Sequence, residues 1–259
     1  MMITWRWSAA TAGVLVTVLA CSGTGSGAPT VRVIRGQHSQ PLYPDAQLSI
    51  VKPGSGETVS GATTVEFVLS GFEVGVPTPG ADRRGIARSA DGQHIHLIVD
   101  NEPYSAHYTT TATVDLSTLG PGRHVLRAFP SRQWHESVKT PTAFASAAFR
   151  VGTADSGVDF DPELPLLTYS RPKGTYAGAD ADSVMVDFYV SNATLRPGGH
   201  AVRLTVDGQV NETLTDWVPY FLVGLPAGRH AVTLELLGPD GQPVPGPFNR
   251  ASHTITVER

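Results

Sequence analysis

Cysteine is nearly absent from this chain of 259 residues: Cys21 is the only one. That excludes a disulfide framework and any metal site built on several thiolates. Lysine is scarce as well, with Lys52, Lys139 and Lys173 alone among scattered arginines, and the formal net charge is -4. So mild a negative balance argues against nucleic acid as a partner. Beyond the first twenty residues no stretch approaches about eighteen consecutive apolar residues, the least that spans a bilayer as a helix. No later segment carries a helical hydrophobic period either. The motifs of common enzymes are missing too: there is no Gly-rich loop between strand and helix, no Gly-x-Ser-x-Gly and no His-Glu-x-x-His. No enzyme is therefore expected.

What is present begins with an export signal: Arg6 in a short head, an apolar and small-residue stretch from Ala9 to Leu19, and small Ala20 before Cys21. An apolar run of about a dozen residues is too short to cross roughly 30 Å of hydrocarbon. The run Val18-Leu19-Ala20-Cys21 resembles the lipobox of bacterial lipoproteins. That resemblance implies cleavage before Cys21, a diacylglyceryl group on its sulfur, and a lipid anchor on the extracytoplasmic side of the cell membrane or outer membrane. Residues 1–20 are then the signal peptide. Residues 21–44, rich in Gly, Ser, Thr and Pro, read as the lipidated cysteine and a flexible tether, with Val31–Ile34 alternatively an edge strand. Chain order places the first folded domain nearer the membrane and the second beyond it.

The remainder contains an internal repeat. Leu97-Ile98-Val99-Asp100 matches Leu204-Thr205-Val206-Asp207, and Leu119-Gly120-Pro121-Gly122-Arg123-His124 matches Leu225-Pro226-Ala227-Gly228-Arg229-His230. From Asp100 to His124 is 24 positions and from Asp207 to His230 is 23, while His124 to Val151 and His230 to Val257 are both 27. Upstream, Val65-Glu66-Phe67-Val68-Leu69 lies against Val186-Asp187-Phe188-Tyr189-Val190, and Pro53-Gly54 against Pro172-Lys173-Gly174. Two copies of one domain are the reading. The first copy carries about fourteen extra residues within Gly75–Gln93, which marks a loop.

Alternation at period two, as in Ile95, Leu97 and Val99 or Val202, Leu204 and Val206, predicts strands, and Asp91-Gly92, Pro197-Gly198-Gly199, Asp207-Gly208 and Asp240-Gly241 predict turns. About seven short strands in roughly 100 residues is the size of an immunoglobulin-like sandwich. The fold class is therefore all-β: two tandem immunoglobulin-like or fibronectin-like antiparallel sandwiches, domain 1 over 45–152, a polar linker over 153–163 and domain 2 over 164–259. The Pro-Gly-Arg-His turn leading into an alternating strand resembles uncharacterised Ig-like modules of bacterial secreted proteins, which implies a fold and an address but no catalytic residues.

Three groups of side chains invite a functional reading. His124 and His230 are kept in both copies, each opening a strand in phase with inward residues, and are expected to be structural. His94 and His96 have no counterparts in the second copy, where Ala201 and Arg203 stand. At alternate positions of a strand they project from one face, about 6.5–7 Å apart. As surface histidines they can chelate Zn or Cu if His107, His135 or Glu136 supplies a third ligand. The loop carrying Arg132, Trp134, His135 and Glu136, with Asn101 and Tyr104 nearby, is a candidate for binding carbohydrate or a peptide end. Its alternative is a staple in which Trp134 caps the core and Arg132 pairs with Glu136. The expected role is a binding, adhesion or scaffold module of the cell envelope, its partners the membrane through the lipid anchor and an envelope protein or glycan.

Overall fold

The computed structural model describes residues 30–81 and 88–259. Cys21 and the expected signal sequence lie outside the described residues. So does part of the expected insertion, residues 82–87. The chain is all-β, with seventeen strands among the described residues arranged in four sheets.

The first copy supplies β2 (Gln47–Lys52), β3 (Thr58–Val59), β4 (Ala62–Ser70), β5 (His94–Val99), β6 (Ser105–His107), β7 (Thr111–Asp115), β8 (Gly122–Ser131) and β9 (Ala145–Val151). They form a three-stranded sheet, β2-β4-β7, and a five-stranded sheet, β3-β9-β8-β5-β6. The second copy repeats the plan with β10 (Leu166–Arg171), β11 (Gly174–Ala177), β12 (Val184–Ser191), β13 (Ala201–Val206), β14 (Val210–Leu214), β15 (Tyr220–Val223), β16 (Gly228–Leu237) and β17 (Arg250–Glu258). In both copies the first long strand carries a register shift, between Ile50 and Lys52 or between Tyr169 and Arg171. The chain then crosses to the other sheet, where β3 or β11 runs parallel to the last strand. Strands that change sheet at a bulge are a recurrent device of sandwiches. Each copy has its own apolar core, around Val65, Ile95, Leu126 and Phe149 in the first and Val186, Phe188, Leu204 and Leu234 in the second.

Within residues 30–44 the alternative reading, an edge strand near Val31–Ile34, describes the segment better than a free tether. Strand β1 (Arg32–Arg35) pairs antiparallel with β15, as the edge of the second copy's sheet β1-β15-β12-β10. Val31 and Val33 pack on the second core. Gly36 then donates to Pro219 O at 2.8 Å, a closeness that excludes a side chain, since a Cβ there would lie 2.6 Å from the same oxygen. The segment continues to the first copy, where Ser39 and Pro41 accept bonds from Arg132 Nη2 and Tyr43 bonds Gln93. The described chain thus begins beside the second sandwich.

The two sandwiches share a buried seam. On β5 and β8, Ile95, Leu97, Leu126 and Ala128 face the first core, while His96, Ile98, Arg127 and Phe129 on the opposite face are also fully buried. On β10 and β12, Leu167, Tyr169, Val186 and Phe188 face the second core, and Thr168, Ser170, Asp187 and Tyr189 turn to the seam, likewise buried. The five-stranded sheet of copy one therefore lies against the four-stranded sheet of copy two. Arg127 bolts it, donating from Nη1 to Leu167 O and Thr168 Oγ1, and from Nη2 to Asp100 O and Asn101 Oδ1. Lys139 and Asp187 form a buried ion pair at 2.7 Å. Nor is the 153–163 stretch a free linker: Arg123 donates to Asp155 and Val158 carbonyls, and Val158 and Phe160 pack beside Phe248.

Candidate metal centre

His94 and His96 lie in this seam, and neither is at the surface: both are 0 % exposed. The sequence placed them correctly on one face of β5, opposite Ile95 and Leu97, but gave no sign that a second sandwich covers that face. Of the proposed third ligands, His135 arrives. It follows the end of β8 in a turn closed by its own N–H to Arg132 O, and a φ of 67° aims its ring back toward β5. A non-glycine residue in that region is uncommon and adopted where surroundings impose it. His94 Nε2 stands 3.0 Å from His96 Nε2 and 3.1 Å from His135 Nδ1. The three ligand atoms all lie within 4.8 Å of one another, the only such group of His, Cys, Asp or Glu among the described residues.

The ring orientations are set from outside the trio. His94 Nδ1–H donates to Gly92 O at 2.9 Å, so its Nε2 carries the lone pair. His96 Nδ1 meets Ser170 Oγ of β10 at 3.1 Å, leaving Nε2 toward His94. Such partners on the far nitrogen are how metal-binding imidazoles are oriented. All three rings are held in the neutral, ligating form. Burial draws His94 down to about 4, with Arg171 and Lys173 adding to the effect against the Gly92 bond. Burial, then Arg171, His94 and Lys173, draws His135 down to about 2. His96 lies well below its ordinary value through burial and the two neighbouring imidazoles. Nitrogens about 2.0–2.1 Å from a zinc ion in tetrahedral array stand roughly 3.3 Å apart; the two short separations, 3.0 and 3.1 Å, lie near that spacing, and the widest within the trio, up to 4.8 Å, has to close when an ion binds. One lone pair on His94 faces two other ring nitrogens, an arrangement that a cation between them satisfies.

Tyr104 completes the wall. Its ring stacks on His96 at 3.5 Å and 12°, and its hydroxyl lies 3.3 Å from His135 Nδ1. Burial pushes this phenol up to about 12, against the influence of Arg171. Lys173 Nζ sits 3.7 Å over the Tyr104 ring and donates to Tyr104 O.

The remaining candidates go elsewhere. His107 pairs with Ser105 Oγ at 2.8 Å, outside the trio. Glu136 points away, accepting from Trp134 Nε1 at 2.8 Å and from Ser39 Oγ, with Arg132 Nη1 3.6 Å distant. Arg132, Trp134 and Glu136 are each 2 % exposed: Arg132 faces Glu136 as in the staple alternative, while Trp134 packs on Met185 and Phe221 of the second copy instead of capping the first core. The loop offers a sugar no Trp134 face, since Ala81, Met185 and Phe221 cover it. Asn101 is engaged by Arg127.

The repeated histidines are structural and have a partner that sequence reasoning missed. His124 Nδ1 bonds Asp100 Oδ2 at 2.7 Å and Nε2 bonds Gly120 O; His230 does the same with Asp207 at 2.6 Å and Pro226 O. Each aspartate, at φ near 50°, also accepts through Oδ1 the N–H of the residue after its histidine, Val125 or Ala231. The near-equal spacing from Asp100 to His124 and from Asp207 to His230, 24 and 23 positions, is the signal of this clasp. Burial lowers both imidazoles, but the aspartate and carbonyl bonds outweigh it and leave them raised.

No family model and no curated protein matches the chain. Among solved structures it is similar to the fibronectin(III)-like modules of Clostridium thermocellum CbhA, at 14% identity over 82% of this chain and 94% of that one with a TM-score of 0.28. It is similar to the D0-D1 domain of Intimin at 12%, 82% and 98%, with a TM-score of 0.28. The Bacteroides ovatus mixed-linkage glucan utilization protein SGBP-B matches at 13% over 82% of this chain and 47% of its own, with a TM-score of 0.22. Likenesses so distant assign neither ligand nor activity.

Proposed function

We propose that this chain is a lipid-anchored, non-catalytic binding module of the cell envelope whose ligand is a transition-metal ion, zinc or copper, held by His94, His96 and His135 in the seam between its sandwiches. The observation that carries the reading is the convergence of three neutral ring nitrogens, two of them oriented by Gly92 O and Ser170 Oγ. Imidazole suits both metals, and selection between them rests on geometry and charge. Because β10 contributes Ser170, an ion at this centre ties the two sandwiches into one rigid arm. The anchor is supported by the Val18–Cys21 run alone, and no described helix is long and apolar enough to cross a membrane. With Cys21 acylated, the pairing of β1 on β15 sets the lipid end beside the second sandwich.

Calorimetric titration of the full-length protein with Zn²⁺ and with Cu²⁺ tests the metal. One ion bound per chain, lost in H94A/H96A, is expected; absence of binding, or binding unchanged in the double variant, overturns the reading. Radiolabelled palmitate incorporated by wild type and lost in C21S is the matching test of the anchor.

A further inference from the structure

We infer that Tyr104 is the fourth and only anionic protein ligand of the metal held by His94, His96 and His135, an inference that rests on the metal reading above. The position is right. Tyr104 lies parallel to His96 at 3.5 Å, and its hydroxyl is 3.3 Å from His135 Nδ1, so the oxygen stands on the same side of the seam as the ligating nitrogens.

Charge favours this ligand as well. Three neutral imidazoles bring no negative charge to a divalent ion, and no carboxylate among the described residues joins their group. The nearest charged side chains are cations: Lys173 Nζ 3.7 Å above the Tyr104 ring and Arg171 with its guanidinium carbon 5.8 Å from it. An ion between them with only neutral ligands would be repelled in a buried setting where charge is poorly screened. A phenolate at Tyr104 reverses the balance. It supplies negative charge to the metal, and the cations then surround an anion. Arg171 retains capacity for this, since its Nε is buried without a partner while Nη1 donates to Tyr176. On binding, the Tyr104 O–H bond breaks, its proton passes to solvent, and the freed oxygen lone pair forms the bond to the metal. No electron is transferred.

Cu²⁺ is the probe, because it ranks highest among divalent first-row ions for such donors and because tyrosinate bound to it absorbs visible light by charge transfer. Full-length protein with one equivalent of Cu²⁺ is expected to show that band, with phenolate ring modes in resonance Raman spectra excited within it. Y104F is expected to lose the band and to bind copper about tenfold or more weakly, since the only anionic ligand is gone. Copper bound by wild type with no charge-transfer band, or a band that survives in Y104F, overturns the role of Tyr104 and leaves the three-histidine centre standing. Failure of wild type to bind copper or zinc at all overturns the centre itself and this ligand with it. The wild-type Raman signature decides the matter even if Y104F does not fold.

Discussion

Glu66 and Asp187 occupy the same place in the two copies, one in Val65-Glu66-Phe67 and the other in Val186-Asp187-Phe188, and they live in opposite surroundings. Glu66 lies on the open face of β4 and pairs with Lys52, whose side chain is 57% exposed against 37% for the glutamate. Asp187 is 0 % exposed and meets Lys139 at 2.7 Å while accepting from the Ser137 N–H and hydroxyl. The next outward residues repeat the contrast: Val68 is 58% exposed, and Tyr189 is fully buried, stacked on Phe129 and Phe144. In the other sheet the relation inverts. The first copy's His96 is buried in the seam, while its counterpart Arg203 reaches the periphery and pairs with Glu235. Duplicated sandwiches thus present different sheets to each other, and each copy's surface chemistry follows from which sheet it lost to the seam.

This comparison can be broken by mutation. The largest expected effect is D187A, which strands Lys139 in the seam and should cost about 3–5 kcal/mol in chemical denaturation. A cost equal to that of E66A would mean that the seam is wet. Next, S170A leaves His96 Nδ1 without its partner across the seam and should weaken metal affinity about tenfold, read by competition with a chelator; unchanged affinity would remove the second sandwich from the centre.

The clasps sharpen the comparison through pH. Because His124 and His230 are raised above the unfolded value of about 6.5, each contributes stability that is complete below that pH. The contribution is lost as pH rises through the folded values. Thermal melts of wild type should therefore fall across that window, and D100N/D207N should flatten the slope; an unaltered slope would locate the titration elsewhere. The smallest effect is E66A, which removes a solvent-exposed pair and should change stability by about 1 kcal/mol or less.

Much of the fold was legible. Period-two alternation marked the strands, and matched spacings marked the duplication and, unrecognised, the Asp–His clasp. The pairing of His94 with His96 on one face also followed from pleat geometry. What stayed hidden was contact across the seam. Arg127, Ser170 and Asp187 stand on strand faces opposite the two cores, and nothing local in the sequence marks those faces as covered. The Arg132–Glu136 loop looked exposed for want of any sign that Ala81, Met185 and Phe221 would close over Trp134. At residues 31–34 the sequence offered an edge strand beside the tether reading, because four residues alternate too briefly to decide between them, and nothing local named β15 as the partner.

By itself the sequence determined the all-β class, the two copies, the clasps and the shared face of His94 and His96, because each depends on local periodicity or on spacing repeated along the chain. Tertiary structure alone decided that this face is buried, that His135 joins it and that β1 belongs to the second sandwich. The reason is physical: alternation fixes which side chains share a face of a strand, whereas what covers that face is set by contacts between segments far apart in the chain.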